Sequence, residues 1–510
     1  MAKLHRGEQS LMRGQRVTVR IAELTPTGSG VSKELGMPVF IDMVAPGDLA
    51  EVELFDVRKD FARGKLVNLL EPSPERAEPP CPLFKVCGGC QWQHLSYEAQ
   101  LHAKTGIVRQ AVQHMGGLDP ALVRDTLAAQ PLHYRNKVQF PVRNPQNSQR
   151  ILAGYFKKDS HELVNVKFCP IQPEVLDRML AVSKEVLERH KIWAYDEGTG
   201  KGTLRHINAR TSFDSGEVLV TLVINMGADS RDEFNRSPLG KRLTEAADEI
   251  MAEEPSIVGV CVNLNTQAGN RILGDQTYLL AGKSSIEECL KSSRDDYPEK
   301  LRQGLKFPLS STSFFQVNST QAVTLLEVVF DQARELLHGV DQPLIVDAFS
   351  GVGAIAFWLS PLAKEIVAIE EHVLAVEDGR RTAQNNKIDN VRFVPGTVES
   401  VLPDLLSQGR RPHLIVVDPP RKGLSPTVVQ ALLESGSNII YVSCNPSTLA
   451  RDLKILTGGC GPDQSNGATI GYKTRQIQPV DLFPQTYHVE TVTTLERLTT
   501  DGSIGNMEEA

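Results

Sequence analysis

A cysteine stands where a thiol could act as a nucleophile. Cys444 lies in the run Ser443-Cys444-Asn445-Pro446, which follows an apolar strand-like segment and precedes a helix-like one. Pro446 suits a first helical turn. Because a helix dipole favours negative charge at its N-terminus, we expect this thiol to gain thiolate character. A buried cysteine that serves only as a small apolar residue is the alternative.

Two glycines and a glutamate have the spacing of a nucleoside site. Gly351 and Gly353 follow an apolar run and enter a helix-like segment, so their backbone can approach a ligand at a helix N-terminus. Glu370 follows about 20 positions later, which suits hydrogen bonds to ribose hydroxyls. No third glycine is present, so a methyl-donor nucleoside such as S-adenosylmethionine fits better than a dinucleotide. An ordinary structural turn is the alternative.

Asp418 and Glu490 extend the possible chemistry. Asp418-Pro419-Pro420-Arg421 ends another apolar run in a rigid turn. Amine methyltransferases carry an aromatic residue where Arg421 stands, which argues against amine methylation. A thiolate beside a methyl donor suggests methylation of a pyrimidine C5, because thiolate addition at C6 makes C5 nucleophilic. Glu490 is then the candidate base for the C5 proton, with a plain surface carboxylate as the alternative.

Four cysteines have a spacing that suggests a metal site. Cys81, Cys87 and Cys90 are followed far downstream by Cys169-Pro170. Zinc more often uses two Cys-x2-Cys pairs, whereas spread cysteines with a Cys-Pro end are typical of iron–sulfur clusters. We therefore favour a closed, structural 4Fe-4S cluster over zinc. Unliganded cysteines are the third possibility, and they are the interpretation for the lone Cys261, Cys289 and Cys460.

A basic stretch with interleaved aromatic residues lies between the third and fourth of these cysteines. Residues 131–168 hold seven Lys or Arg against Asp159 and Glu162, and Tyr134, Phe140 and Phe168 are among their aromatic residues. This pattern indicates an RNA surface with phosphate contacts and base stacking. Solvated strands whose aromatic residues face a core are the alternative.

The pattern of the chain predicts the elements that position these residues. Residues 16–70 have the period-two alternation and turn residues of a small OB-like β-barrel, although any small barrel would look similar. Prolines between Glu71 and Pro80 break the chain, and Ser292–Pro298 is a second candidate linker. From Leu344 onward, short apolar runs alternate with helix-length segments, which predicts a parallel, doubly wound α/β sheet. The carboxyl edge of that sheet should gather the candidate residues.

Composition excludes several classes of protein. The 510 residues contain 55 Lys and Arg against 62 Asp and Glu, a formal net charge of −7, with 41% hydrophobic and 23% charged residues. These values exclude a basic tail protein and a disordered chain. No apolar run approaches the length of a membrane span, and the N-terminus lacks a secretory signal. We expect a cytoplasmic protein without a membrane partner or an evident obligate protein partner.

Together these motifs resemble the RNA (uracil-5-)-methyltransferase family, most closely its 23S ribosomal RNA type with an N-terminal TRAM domain. The resemblance covers nearly the whole chain. It rests on the four cysteines, the glycine and Asp418 turns, and three further runs: His133–Lys137, Ser313–Asn318 and Asp481–Glu490.

The resemblance implies a residue-by-residue assignment. By this resemblance, Cys444 is the nucleophile and Glu490 is the general base. The four cysteines hold a 4Fe-4S cluster. The positions that match the donor site are Gln316, Phe349, Glu370 and Asp418. The implied architecture is a Rossmann-like S-adenosylmethionine-dependent methyltransferase domain over residues 306–500, a TRAM domain over 8–71, and a central α+β iron–sulfur domain with a basic RNA surface over 72–305. Residues 93–130 are expected to pack with the catalytic domain. Ala354 and Thr397 depart from relatives at the edge of the donor site.

The substrate remains open between several classes. Ribosomal RNA is favoured, and T-loop methylation of tRNA is the runner-up, since bacterial tRNA relatives usually lack the cluster and the TRAM domain. Cytosine C5 methylation is disfavoured because those enzymes carry different cysteine motifs. A non-catalytic RNA-binding or ribosome-assembly factor is a further alternative, against which the intact Cys444 and Glu490 speak. The sequence does not identify the target uridine or the oligomeric state.

Overall fold

The computed structural model describes residues 11–145, 148–313, 315–458 and 471–498. Phe314 and Cys460 lie outside the described residues. The sequence also predicts a glycine-rich loop over Gly458–Ala468 and a frayed tail after Thr499; all of the loop beyond Gly458, and the whole tail, lie outside the described residues. No helix among the described residues is long and apolar enough to cross a membrane.

The N-terminal segment forms a six-stranded sheet in the order β1-β5-β6-β4-β3-β2. Alternate side chains such as Val52 and Leu54 are fully buried, which explains why the alternation of the sequence predicts these strands. Its strands are β1 Arg16–Arg20, β2 Glu23–Leu24, β3 Gly30–Ser32, β4 Val39–Ile41, β5 Leu49–Val57 and β6 Ala62–Glu71.

Helix α1, Tyr97–His114, connects this sheet to the C-terminal part of the chain. The Ser96 side chain caps it by accepting a hydrogen bond from the Ala99 amide. Beyond the helix, Val123 and Leu127 form parallel bridges with Ile477 and Val480. Residues 93–130 therefore pack on the C-terminal sheet, as the resemblance implies, while the three domain boundaries stay a prediction.

The middle of the chain forms a seven-stranded mixed sheet in the order β13-β12-β11-β10-β7-β8-β9, covered by three helices. Its strands are β7 Lys137–Arg143, β8 Leu152–Phe156, β9 Leu163–Asn165, β10 Leu204–Thr211, β11 Val218–Ile224, β12 Ile257–Leu264 and β13 Gln276–Gly282. Its helices are α2 Glu174–Arg189, α3 Arg231–Arg236 and α4 Pro238–Glu253. The hairpin β14 Ser285–Leu290 and β15 Leu305–Ser310, with the short helix α5 Glu299–Gln303 between its strands, leads onward.

The C-terminal part is a seven-stranded sheet in the order β18-β17-β16-β19-β20-β22-β21. Its strands are β16 Leu344–Ala348, β17 Glu365–Glu370, β18 Val391–Pro395, β19 Leu414–Val417, β20 Asn438–Ser443, β21 Tyr472–Val480 and β22 Glu490–Arg497. Its helices are α6 Ser319–Leu336, α7 Ala354–Leu359, α8 Val373–Asn385, α9 Val398–Ser407, α10 Pro426–Ser435 and α11 Pro446–Gly458. The first five strands are buried apolar runs, so the sequence predicts them to within one residue.

One strand of this sheet runs against the others. β16 to β20 are parallel, but β22 pairs antiparallel with both β20 and β21. The predicted parallel arrangement is confirmed for β16 to β20, and the antiparallel strand β22 at this edge was not predicted. Because β22 is reversed, its first residue, Glu490, lies at the edge where the parallel strands end.

A buried ion pair fixes α1 to the segment that precedes β22. Lys104 Nζ lies 2.5 Å from Asp481 Oδ1, and both side chains are fully buried. The ammonium also donates to the Phe483 carbonyl at 3.1 Å, and Tyr97 Oη donates to Asp481 Oδ2 at 3.0 Å. Burial lowers the pKa of Lys104, and the attraction of Asp481 opposes this decrease.

We expect Lys104→Met to lower the free energy of unfolding by about 3–5 kcal/mol, because it leaves a buried carboxylate without its cation. Urea unfolding measures the change. The double variant Lys104→Met/Asp481→Leu should recover much of the loss, since both charges are then removed. Equal stability of the wild type and the single variant would contradict the role given to this pair.

Candidate functional site

A cleft of about 1970 Å³ follows the carboxyl edge of the C-terminal sheet. Its walls also include residues from the middle of the chain, among them Gln139 and Arg271. Seven of the sequence-predicted residues line it: Gln316, Phe349, Gly351, Glu370, Asp418, Cys444 and Glu490. The loops that end β16, β17, β19 and β20 thus converge, as expected for a parallel sheet.

The register of β20 and β22 brings Cys444 and Glu490 together. Ser443 pairs with Thr491, so the next position along each strand places Cys444 opposite Glu490. Directly opposed residues in an antiparallel pair have Cα atoms roughly 5 Å apart. The Thr491 hydroxyl donates to the Ser443 carbonyl at 3.1 Å and closes this end of the ladder. Glu490 is 6% exposed, and Cys444 is half-buried.

The electrostatics of this pair differ from the prediction of an activated thiolate. Burial, with the charges of Glu490 and Asp418, raises the pKa of Cys444 to about 11. Cys444 stands just before α11, but the effect of the helix dipole is small beside burial and the two nearby carboxyl groups. The prediction that this thiol gains thiolate character is therefore wrong for the free protein. Burial, reinforced by Asp418, also raises the pKa of Glu490 to about 8. At neutral pH both groups are mainly protonated.

Two residues that were not predicted as site residues also face these groups. The guanidinium of Arg421 opposes both increases in pKa, at Cys444 and at Glu490. His488 lines the cleft two residues before Glu490, and its ring lies 4.3 Å from that of Tyr487. Burial and Arg421 lower the pKa of His488 to about 4, which keeps the imidazole neutral. The sequence signals for them are the replacement of the usual aromatic residue by Arg421 and the place of His488 in the run Asp481–Glu490.

The other end of the cleft has the features of a donor site. Phe349 and Gly351 adopt left-handed backbone conformations that turn the chain from β16 toward α7. Glu370 Oε2 accepts a hydrogen bond from the Gly351 amide at 2.8 Å, and Oε1 accepts one from the His372 amide at 2.8 Å. Each carboxylate oxygen retains accepting capacity toward hydroxyl groups of a ligand.

Gly353 has a packing role in the structure. It does not line the cleft; instead it precedes α7 with φ +85°, and a Cβ there would lie 2.6 Å from the Phe393 ring. Next to it, the fully buried Asp347 accepts a hydrogen bond from the Ala356 amide at 2.9 Å. Burial raises the pKa of Asp347 to about 8, so this carboxyl adds little negative charge to the cleft.

The segment that carries His488 and Glu490 is held at Gln485, whose φ is +70°. Its carbonyl accepts hydrogen bonds from the Gln91 and Trp92 amides at 3.1 and 3.0 Å. Its amide and side chain form reciprocal bonds with the Gln100 side chain, at 2.9 and 3.0 Å. Residues next to Cys90 and residues of α1 therefore both determine where β22 begins.

The four predicted metal ligands come close to one another. Burial is the main cause that raises the pKa of Cys90 and that of Cys169, each to about 12. Neighbouring thiols add to both increases: Cys87 and Cys81 act on Cys90, and Cys90 and Cys81 act on Cys169. Each thiol also accepts a hydrogen bond, for example that of Cys87 from the Gly89 amide at 3.4 Å. Across the described residues, no three or more His, Cys, Asp or Glu side chains form a site for a metal ion.

Most aromatic residues of the basic stretch do not form a stacking surface. Tyr134 and Phe140 are 3% and 0% exposed and belong to cores, whereas Phe168 is 43% exposed. The interpretation of interleaved aromatic residues as base-stacking groups is therefore wrong for Phe140, which faces the core from β7, and for Tyr134, which precedes β7 and packs against Cys169. Arg135 does reach the cleft.

Comparison with known protein families agrees with this geometry. Residues 299–498 match the family model described as tRNA (Uracil-5-)-methyltransferase, and residues 10–67 match the TRAM domain. An RNA methyltransferase of Gloeobacter violaceus, described as uncharacterized, is 39% identical over 96% of this chain and 98% of its own length. A similarly described RNA methyltransferase of Halalkalibacterium halodurans is 36% identical over 94% of this chain and 96% of its own length.

A solved structure extends the similarity to the fold. The Pyrococcus abyssi tRNA (uracil-54, C5)-methyltransferase in complex with S-adenosyl-L-homocysteine is 26% identical, with a TM-score of 0.69 over 94% of this chain and 99% of that one. This similarity and the TRAM match confirm the predicted Rossmann-like methyltransferase fold and TRAM domain. The chain belongs to the RNA (uracil-5-)-methyltransferase family and is an S-adenosylmethionine-dependent RNA methyltransferase.

Proposed function

We propose that this enzyme methylates C5 of a uridine in 23S ribosomal RNA through a covalent bond between Cys444 and uracil C6. The observation that carries the proposal is the register that sets a thiol opposite a buried carboxyl group in the cleft. This pair supplies the two functions that C5 methylation needs on the protein: a nucleophile for C6 and a base for the C5 proton.

The protein's own groups act in a defined order. The Cys444 thiol gives up its proton to solvent, the thiolate adds to C6, and the electron pair of the C5–C6 double bond moves to C5. S-adenosylmethionine, when bound, supplies the electrophilic methyl group that C5 takes. Glu490 then removes the C5 proton, the double bond re-forms, and the sulfur leaves with its electron pair. A stacked or paired uridine must first be extruded, which costs about a few kcal/mol.

The donor end of the cleft fits S-adenosylmethionine. Glu370, held by two backbone amides, suits the ribose hydroxyls, while Phe349 and Gly351 shape the turn before α7. Gln316 and Asp418 line the space between this end and Cys444. Burial raises the pKa of Asp418 to about 7, so its carboxyl can donate or accept a hydrogen bond near neutral pH.

Ribosomal RNA is the preferred substrate because the chain combines a TRAM domain with the four cysteines, a combination that resembles the 23S type. Transfer RNA is the second candidate, favoured by the similarity to the Pyrococcus abyssi tRNA enzyme. Nucleoside mass spectrometry of unmodified 23S and tRNA transcripts, after incubation with methyl-labelled donor, distinguishes them. Label in 5-methyluridine of tRNA alone would overturn the substrate, and no label in either would contradict the proposed activity.

We expect Cys444→Ala to lower turnover by about 10⁴-fold or more, since the variant has no nucleophile, while RNA affinity stays within about twofold. Turnover is measured by methyl transfer and affinity by filter binding. Cys289→Ala is the matched control, because Cys289 is also half-buried and lies outside the cleft. Methylation by Cys444→Ala near the wild-type rate would exclude the covalent mechanism.

The raised pKa of Glu490 predicts a pH dependence. Only the carboxylate can take the C5 proton, and it accumulates as pH rises through about 8. Because the Cys444 thiol, with a pKa of about 11, must also lose its proton, we expect kcat/KM to rise by more than tenfold per pH unit below about pH 8 and by about tenfold per unit above it.

Glu490→Gln should accumulate an RNA–protein adduct that survives a denaturing gel, because the sulfur cannot leave until C5 loses its proton. Glu335→Gln, an exposed carboxylate outside the cleft, should keep the wild-type profile and form no adduct. A flat wild-type profile between pH 6 and pH 8 would argue against Glu490 as the base.

We also propose that Cys81, Cys87, Cys90 and Cys169 hold a 4Fe-4S cluster. The thiols lie close together, and each accepts a hydrogen bond, as is usual for cluster thiolates. The cluster would tie residues 81–90 to residue 169 and so steady the amides that bind Gln485.

Anaerobically purified protein should contain about four iron and four sulfide ions per chain. Cys169→Ser should lose most of this iron, while Cys261→Ser, the matched buried cysteine, should retain it. Iron and acid-labile sulfide assays measure both contents. Stoichiometric zinc without iron, or full iron in Cys169→Ser, would exclude this assignment.

A further inference from the structure

The connection between β12 and β13 is unusually long for two antiparallel neighbours. Residues 265–275 join strands that pair directly, whereas hairpin loops commonly have about two to five residues. Longer connections in compact domains usually carry a function. Residues 266–271 are all exposed, so the outer part of this loop contributes no core packing.

Buried polar side chains nevertheless hold the backbone of this loop. Asn265, 1% exposed, donates to the Arg271 and Ile272 carbonyls at 2.7 and 2.9 Å, and its side-chain oxygen accepts from the Gln267 amide at 2.9 Å. Asn265 thus uses its whole amide group within the loop. Arg205, 6% exposed, donates to the Asn265 and Gln267 carbonyls at 3.1 and 2.6 Å.

The base of the loop is fixed in the same way. Asn263, fully buried, donates to the Gly274 carbonyl at 3.1 Å and accepts from the Gly274 amide at 2.7 Å. A Cβ at Gly274 would lie 1.8 Å from the Leu264 carbonyl oxygen, so only glycine fits this approach. Burying an arginine and two asparagines is costly unless their hydrogen bonds are satisfied, and here those bonds hold an exposed loop in one shape.

The ordered loop faces the reaction cleft. Asn270, Arg271 and Ile272 line the same cleft as Cys444 and Glu490, although they belong to the central sheet. The Arg271 guanidinium pairs with Asp275, but their side chains are 49% and 75% exposed. Exposed pairs contribute little free energy, so Arg271 can exchange this partner for a phosphate group.

We propose that residues 265–275 form an RNA-binding finger in which Arg271 contacts a backbone phosphate near the target uridine. This inference rests on the proposed RNA uridine substrate. The finger reaches the cleft from the central sheet, whereas the donor loops belong to the C-terminal sheet. Asn270 provides donor and acceptor groups for a ribose 2′-hydroxyl or a base edge next to the phosphate.

The test measures RNA affinity and its salt dependence in the full-length protein. The probe is a fluorescein-labelled single-stranded U20 oligonucleotide, titrated by anisotropy between 50 and 200 mM KCl. We expect Arg271→Ala to weaken binding about five- to tenfold and to reduce the slope of log affinity against log salt by about 0.7, the value for one lost phosphate contact on a single strand. Arg271→Lys should restore the slope, because lysine keeps one positive charge.

Arg109→Ala is the matched control, since Arg109 is 46% exposed, pairs with an exposed aspartate and lies outside the cleft. It should bind as the wild type does. Wild-type affinity and slope in Arg271→Ala, or an equal loss in Arg109→Ala, would overturn the finger. A wild type that binds U20 but methylates no uridine in any transcript would contradict the proposed function while leaving the finger intact.

Discussion

The reversed strand β22 is the constraint on which the site depends. A parallel strand would bring its last residue to the carboxyl edge of the sheet, but β22 arrives there with its first residue. Glu490 can therefore follow directly on an irregular segment and still be fixed by two ladders, to β20 on one side and β21 on the other. The pairing register of β22 determines how the Glu490 carboxyl group faces Cys444. If that register shifted by one residue, Glu490 would point to the opposite face of the sheet.

The segment before β22 joins parts that are distant in sequence. Lys104 and Gln100 of α1 bind it through Asp481 and Gln485, and the amides after Cys90 bind the Gln485 carbonyl. The Tyr134 hydroxyl donates to the Pro484 carbonyl at 2.9 Å. Through these contacts, residues between the N-terminal sheet and the central sheet support the segment that carries Glu490. They set the position from which β22 starts.

The TRAM domain takes part in the same arrangement. A Cβ at Gly28 would lie 2.7 Å from the Tyr487 ring, so a side chain at residue 28 would displace the aromatic residue that stacks on His488. The Trp92 indole donates to the Gly28 carbonyl at 3.0 Å and fixes the same turn. The TRAM domain thus buttresses the wall of the cleft in addition to any contact that it makes with RNA.

The sequence predicts the elements whose signals are local. The buried parallel strands follow from apolar runs, and the gathering of Gly351, Glu370, Asp418 and Cys444 follows from topology. The direction of β22, the inward orientation of Phe140 and the polar support of residues 265–275 depend on partners far away in the chain. No local pattern encodes these three features. The raised pKa of Cys444 also depends on groups far away in the chain, so it contradicts an expectation based on the neighbouring helix alone.

The negative charge around Cys444 suits the proposed reaction because sulfur and carboxyl group carry charge at different times. In the free enzyme, Glu490 and Asp418 oppose the thiolate. The resting thiol and the thioether formed at C6 are both uncharged, so neither opposes the ionisation of Glu490. When Glu490 takes the C5 proton it becomes neutral, and the thiolate then leaves beside an uncharged acid. The repulsion that keeps the resting thiol protonated is therefore reduced at the step in which the product is released.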